Sequence, residues 1–116
     1  MIYTLEGHDL KHAVEEMLFH LLPTANLTRA DTVGEDGDWC RSLLSEQGGE
    51  AVGLAVACID GVTHESERRA RVAGLAPLDY KRAVTELVKM TVYDAVAPSL
   101  AQPPVWGSLT GVRPAK

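Results

Sequence analysis

Aromatic residues are the first shortage: they make up 5% of the chain, although 46% of its residues are hydrophobic. A core must therefore be assembled from leucine, valine and alanine. Cysteine is almost as scarce. Cys40 and Cys58 fall in no CxxC or CxxxCxxC spacing, so the chain alone offers no cysteine cage for an iron–sulfur cluster. The plain reading of both thiols is as small buried hydrophobes in strands. No apolar run reaches the roughly 18 residues of a helical membrane span. The opening MIYTLEGHDLK lacks the basic and apolar regions of a signal peptide. A cytoplasmic location is the expectation, and a disulfide is not expected there. Positive charge is short as well: 11 Lys and Arg stand against 16 Asp and Glu, a net charge of -5. That balance weighs against a dedicated nucleic-acid surface.

Signatures of chemistry are missing too. Four histidines, at positions 8, 12, 20 and 64, are the only candidates for a base or metal ligand near neutral pH. His8 and His12 are four apart, but no HExxH accompanies them and His8 precedes the first helix. No metal site is expected. The serines lie in no GxSxG elbow, and Gly48-Gly49 is not a phosphate loop. The acidic residues Asp31, Glu35, Asp36 and Asp38 lack the spacing of a calcium loop and read as a solvated turn. No catalytic residue is expected within this chain.

What is present is clear patterning. At 116 residues the chain has one domain's length and buries roughly two thirds of its unfolded surface. Residues 2–5 predict a short strand. Leu10, Ala13, Val14, Met17, Leu18, Leu21 and Leu22 recur at helical spacing, with Asp9 as the expected N-cap and Pro23 as the stop. Residues 26–32 are a weakly marked second strand. Residues 34–37 read as a loop, and residues 39–46 as a strand running into a Gly48-Gly49 hairpin.

Residues 51–59 alternate with period two. Val52, Leu54, Val56 and Cys58, the larger set, are expected to face the core. Ala51, Gly53, Ala55, Ala57 and Ile59 are expected on the outer face, where their small size would let a neighbour approach. After the Asp60-Gly61 turn, residues 62–72 carry Glu65, Glu67, Arg68, Arg69 and Arg71, the composition of a charged edge strand. Pro77 opens a second helix whose apolar face is Tyr80, Val84, Leu87, Val88, Thr91 and Ala95, and Pro98 closes it. The order predicts an α+β two-layer sandwich: a mostly antiparallel sheet of about four strands, with two helices packed on one face. Residues 1–100 form the domain, and residues 101–116 a Pro-bearing linker and junction.

The last segment, Trp106-Gly107-Ser108-Leu109-Thr110-Gly111-Val112-Arg113-Pro114-Ala115-Lys116, has neither helical nor strand period. It resembles W-G-x-L-T-G-(I/V)-R-P-x-K, the segment that precedes the catalytic barrel in oxygen-independent coproporphyrinogen III dehydrogenases of the HemZ type, in the radical-SAM superfamily. The likeness covers about a tenth of the chain; the rest agrees in layout only. It implies an N-terminal accessory domain in a heme-biosynthetic oxidoreductase. The [4Fe-4S] cluster and S-adenosylmethionine of such enzymes would belong to a later domain, with no cofactor in this chain.

The resemblance implies roles for Trp106, Gly107, Thr110, Gly111, Arg113 and Lys116, either at the interface with that catalytic domain or against a porphyrinogen carboxylate. The guanidinium of Arg113 suits a carboxylate, and Trp106 suits a domain interface. The plainer reading makes them a structural hinge. The alternative function is a stand-alone RNA- or protein-binding module using Arg68, Arg69, Arg71, Lys81, Arg82 and Lys89. A homodimer through an uncovered helix or sheet face is a further expectation.

Overall fold

The computed structural model describes residues 1–32 and 37–100. The predicted loop at residues 34–37 therefore lies mostly outside the described residues, and so do the linker and junction at 101–116. In chain order the elements are β1 (Ile2–Glu6), α1 (Lys11–Leu21), β2 (Thr28–Arg29), β3 (Trp39–Gln47), β4 (Glu50–Ile59), β5 (Val62–Arg71) and α2 (Pro77–Val96), followed by a 3-10 turn at Ala97–Ser99.

The fold is α+β, as expected, with five strands rather than four. They are ordered β2-β1-β3-β4-β5. The sheet is mixed: β1 lies parallel to β2 and β3, while β3–β4 and β4–β5 are antiparallel hairpins. Both hairpins close through two residues of positive φ, Gly48-Gly49 (58° and 83°) and Asp60-Gly61 (52° and 81°), the geometry that matches the twist of the flanking strands. The Asp60 amide donates to Asp38 Oδ1 at 3.0 Å, tying the second turn to the start of β3.

The helix start differs from the sequence reading. Asp9 does not cap α1; it pairs with Arg29 at 2.9 Å. His8 takes the local role, its Nδ1 accepting the Leu10 amide at 3.0 Å. The face of α1 is as read, with Ala13, Val14, Met17, Leu18 and Leu21 buried. Pro77 opens α2 as expected, and its buried stripe is Val84, Leu87, Val88, Thr91, Val92, Ala95 and Val96.

Both helices pack on one side of the sheet, around Tyr3, Cys40, Ala55 and Ala57. Here β4 corrects the sequence reading. Ala51, Gly53, Ala55, Ala57 and Ile59 are the buried residues, and Val52, Leu54, Val56 and Cys58 are only half-buried. The reason is the close seat of α2. A Cβ on Gly53 would stand 3.0 Å from Leu87 Cγ and 3.2 Å from Thr91 Cγ2. The helix brings the bulk and the strand provides the room, so the small residues turn inward. The small-residue face is thus covered and unavailable to a second copy.

Candidate functional site

Trp106, Gly107, Thr110, Gly111, Arg113 and Lys116 all lie outside the described residues. Among those described, the first arrangement with a catalytic look is one that sequence spacing does not reveal. His8, two residues past the end of β1, places its Nε2 3.0 Å from Oγ of Ser42 on β3. The geometry opposes nucleophilic chemistry. Because Nδ1 accepts the Leu10 amide, the neutral ring carries its proton on Nε2 and donates it to Ser42. A base that activates serine needs the opposite tautomer. Burial lowers the His8 pKa, with the contact to Ser42 opposing. Ser42 is 1% exposed, so substrate has no approach to it. The pair is a structural clasp over the start of α1.

Metal chemistry finds no donor set: no group of three or more His, Cys, Asp or Glu residues is poised for an ion among the described residues. Cys40 and Cys58 are free thiols. They sit on opposite faces of the sheet, Cys40 among the buried set and Cys58 among the half-buried one. Burial pushes the Cys40 thiol up to about 12, leaving it protonated and inert. A cluster of the radical-SAM kind does not fit these residues.

The cations proposed for RNA do not form a single stripe. Arg68 faces the helices and grips Asp94 through Nε at 2.5 Å and through a second nitrogen at 3.3 Å. Arg69 lies on the opposite sheet face beside Glu67 (3.1 Å) and Glu50 (4.0 Å). Lys89 reaches across to Glu16 at 2.6 Å; Lys81 shares that groove between α1 and α2.

The most developed surface is the sheet face that no described element covers. The strand register arranges it in rows across β1, β3, β4 and β5: Ile2-Trp39-Cys58-Thr63, Thr4-Arg41-Val56-Glu65, then Glu6-Leu43-Leu54-Glu67. Ser45, Val52 and Arg69 continue the pattern. Trp39, Leu43, Val52, Leu54, Val56 and Cys58 are partly exposed and form one apolar band. A shallow groove lies between Leu43, Val52 and Leu54, bounded by Glu6 and Glu67. On the β1 side Arg41 binds Glu6 at 2.7 Å. Thr4 Oγ1, beside them, is buried without a hydrogen-bond partner among the described residues. The sequence assigned three of these side chains and Cys58 to the core. The missing signal was the helix–strand distance, which alternation does not encode.

No known family pattern and no curated protein matches the chain. Among solved structures, the chain is similar to an uncharacterized protein, at 10% identity and a TM-score of 0.45, covering 80% of this chain and 88% of the other. It is also similar to a protein from Vibrio cholerae, at 11% identity and a TM-score of 0.41, covering 81% of this chain and 72% of the other. At that level the likenesses carry no functional argument. No described helix is long and apolar enough to cross a membrane.

Proposed function

We propose that this chain is a non-catalytic docking domain, and that the open sheet face receives a catalytic domain. The observation that carries this reading is the apolar band of Trp39, Leu43, Val52, Leu54, Val56 and Cys58 on the side of the sheet that no described element covers. A solvated sheet face ordinarily alternates to polar residues. A contiguous apolar band with a charged rim is the composition of an interface.

The catalytic domain that suits the band is the one implied by residues 106–116, a radical-SAM barrel of the coproporphyrinogen III dehydrogenase kind. In this reading Trp106 anchors the joint, while Gly107 and Gly111 let the backbone turn. Arg113 and Lys116 meet carboxylates, either acids of the barrel or propionates of a porphyrinogen. The cluster and S-adenosylmethionine stay in the barrel, which would carry the oxidative decarboxylation, and the protein would work in the cytoplasm.

The test mixes this chain with a separately produced coproporphyrinogen III dehydrogenase barrel and measures binding by calorimetry. The expected result is saturable binding that Leu54→Glu weakens at least about ten-fold, with folding unchanged by circular dichroism. Absence of binding, or equal binding by the variant, overturns the reading. Arg113→Ala in the joined protein separates the two roles of the tail: a changed KM supports substrate contact, and lower stability with unchanged turnover supports the joint.

A further inference from the structure

β5 is an edge strand, and its charges complement themselves. Acids come first along it, at Glu65 and Glu67, and bases follow, at Arg68, Arg69 and Arg71. The strand holds no proline and no bulge; its register with β4 is unbroken from Val62 to Arg71. Among the described residues it pairs with β4 alone, so its outer backbone groups are open to another strand.

We propose that β5 pairs antiparallel with β5 of a second copy, about a two-fold axis at Arg68 normal to the sheet. That axis keeps both helix layers on one side and the open faces on the other. Residues opposite one another must then share a face, which restricts the register to steps of two residues. With Arg68 on the axis, Glu65 lies opposite the partner's Arg71 and Glu67 lies opposite the partner's Arg69. The two-fold repeats both, giving opposite-charge pairs along the whole open side of the junction. One step in either direction sets Glu67 against the partner's Glu67, or Arg69 against the partner's Arg69.

Three further observations fit this register. Glu65 and Arg71 have no ion-pair partner among the described residues, and the register makes them partners of one another. The two Arg68 side chains meet on the helix side, but each is already neutralised by its own Asp94. A groove with an apolar floor of Ala70, Ala83, Leu87 and Met90 and charged walls of Arg68, Arg69 and Glu86 runs beside the strand, where the second copy would close it. The inference uses the sheet edge and does not depend on what docks on the open face.

The experiment is analytical ultracentrifugation of the whole chain with two charge variants. Glu65→Arg with Glu67→Arg makes the open side of the strand wholly basic; Arg69→Glu with Arg71→Glu makes it wholly acidic. All four positions are exposed, so folding is preserved, and circular dichroism checks it. The wild type is expected to dimerise at low salt and to weaken as salt rises. Each variant alone should self-associate at least about ten-fold more weakly, and their equimolar mixture should form a heterodimer, because every facing pair becomes Arg with Glu. A monomeric wild type, variants that dimerise like the wild type, or a mixture that stays monomeric overturns the proposal. Hydrogen exchange gives an independent reading: the outward amides of β5 should slow with rising protein concentration, and concentration-independent exchange overturns it equally.

Discussion

His8 is held between two partners that suit a single protonation state. Its Nδ1 accepts from the Leu10 amide and its Nε2 donates to Ser42. A second proton would face the Leu10 N–H and lose that hydrogen bond, and burial already disfavours the charge. Its pKa is therefore lowered in the folded protein from 6.5. The unfolded chain takes up this proton first as pH falls, so the contribution of His8 to stability is complete above about pH 6.5 and declines as pH drops through the lower folded value. The urea midpoint of the wild type should fall between about pH 7 and pH 5 more than that of His8→Gln, which keeps a donor and an acceptor without the titration. Equal pH dependence of the two would show that His8 is not so held. Tyr3 illustrates the same physics with the opposite charge: burial, then its hydrogen bond to Glu15, lifts its pKa to about 12. Neither group has the exposure or poise of a catalyst. Gly-rich and Ser/His motifs in the sequence carried no information on this clasp, because its two members are brought together only by the parallel pairing of β1 with β3.

At the scale of elements, the decisive contact is α2 on β4. Leu87 and Thr91 lie directly over Gly53, and Ser66 on β5 donates to the Thr91 carbonyl at 2.6 Å. The helix therefore sits close over the two hairpin strands. Gly53→Val would place three carbons where Leu87 and Thr91 already stand. The expected cost is about 1–3 kcal/mol of overpacking, seen as a lower urea midpoint with an unchanged slope. A neutral or stabilising result would show slack between helix and sheet. Most elements were legible beforehand, since helices and hairpin turns are written in local pattern: the stripe from Ala13 to Leu21, the Pro77 start, the two turns at Gly48-Gly49 and Asp60-Gly61, the charges of β5. β2 was barely legible because only Thr28 and Arg29 pair, and two residues leave no period to read. Asp9 misled because its carboxylate had a nonlocal cation, Arg29, to satisfy.

At the scale of the whole molecule, the described helices cover one side of the sheet and no described element covers the other, and leucines of equal size on the two sides should behave differently. Leu18, 0% exposed among the core residues, should cost about 2–5 kcal/mol on substitution by alanine. Leu54, half-buried on the open side, should cost less than about 1 kcal/mol, within the range of surface substitutions with modest burial. Thermal or urea denaturation of the pair measures it directly; a large loss at Leu54 would mean that its face is already packed in the isolated chain. The sequence by itself determined most of the elements and which residues share a strand face, because side-chain direction repeats every two residues in a strand and every 3.6 in a helix. It also determined that β5 would be a charged edge. Which face of β4 would be the core was decided only by tertiary structure. Alternation is symmetric between the two faces, and the tie is broken by how near the helix must come. At Gly53 a side chain would press on Leu87 and Thr91, so the small residues went inward and the larger apolar ones lie on the face that no described element covers.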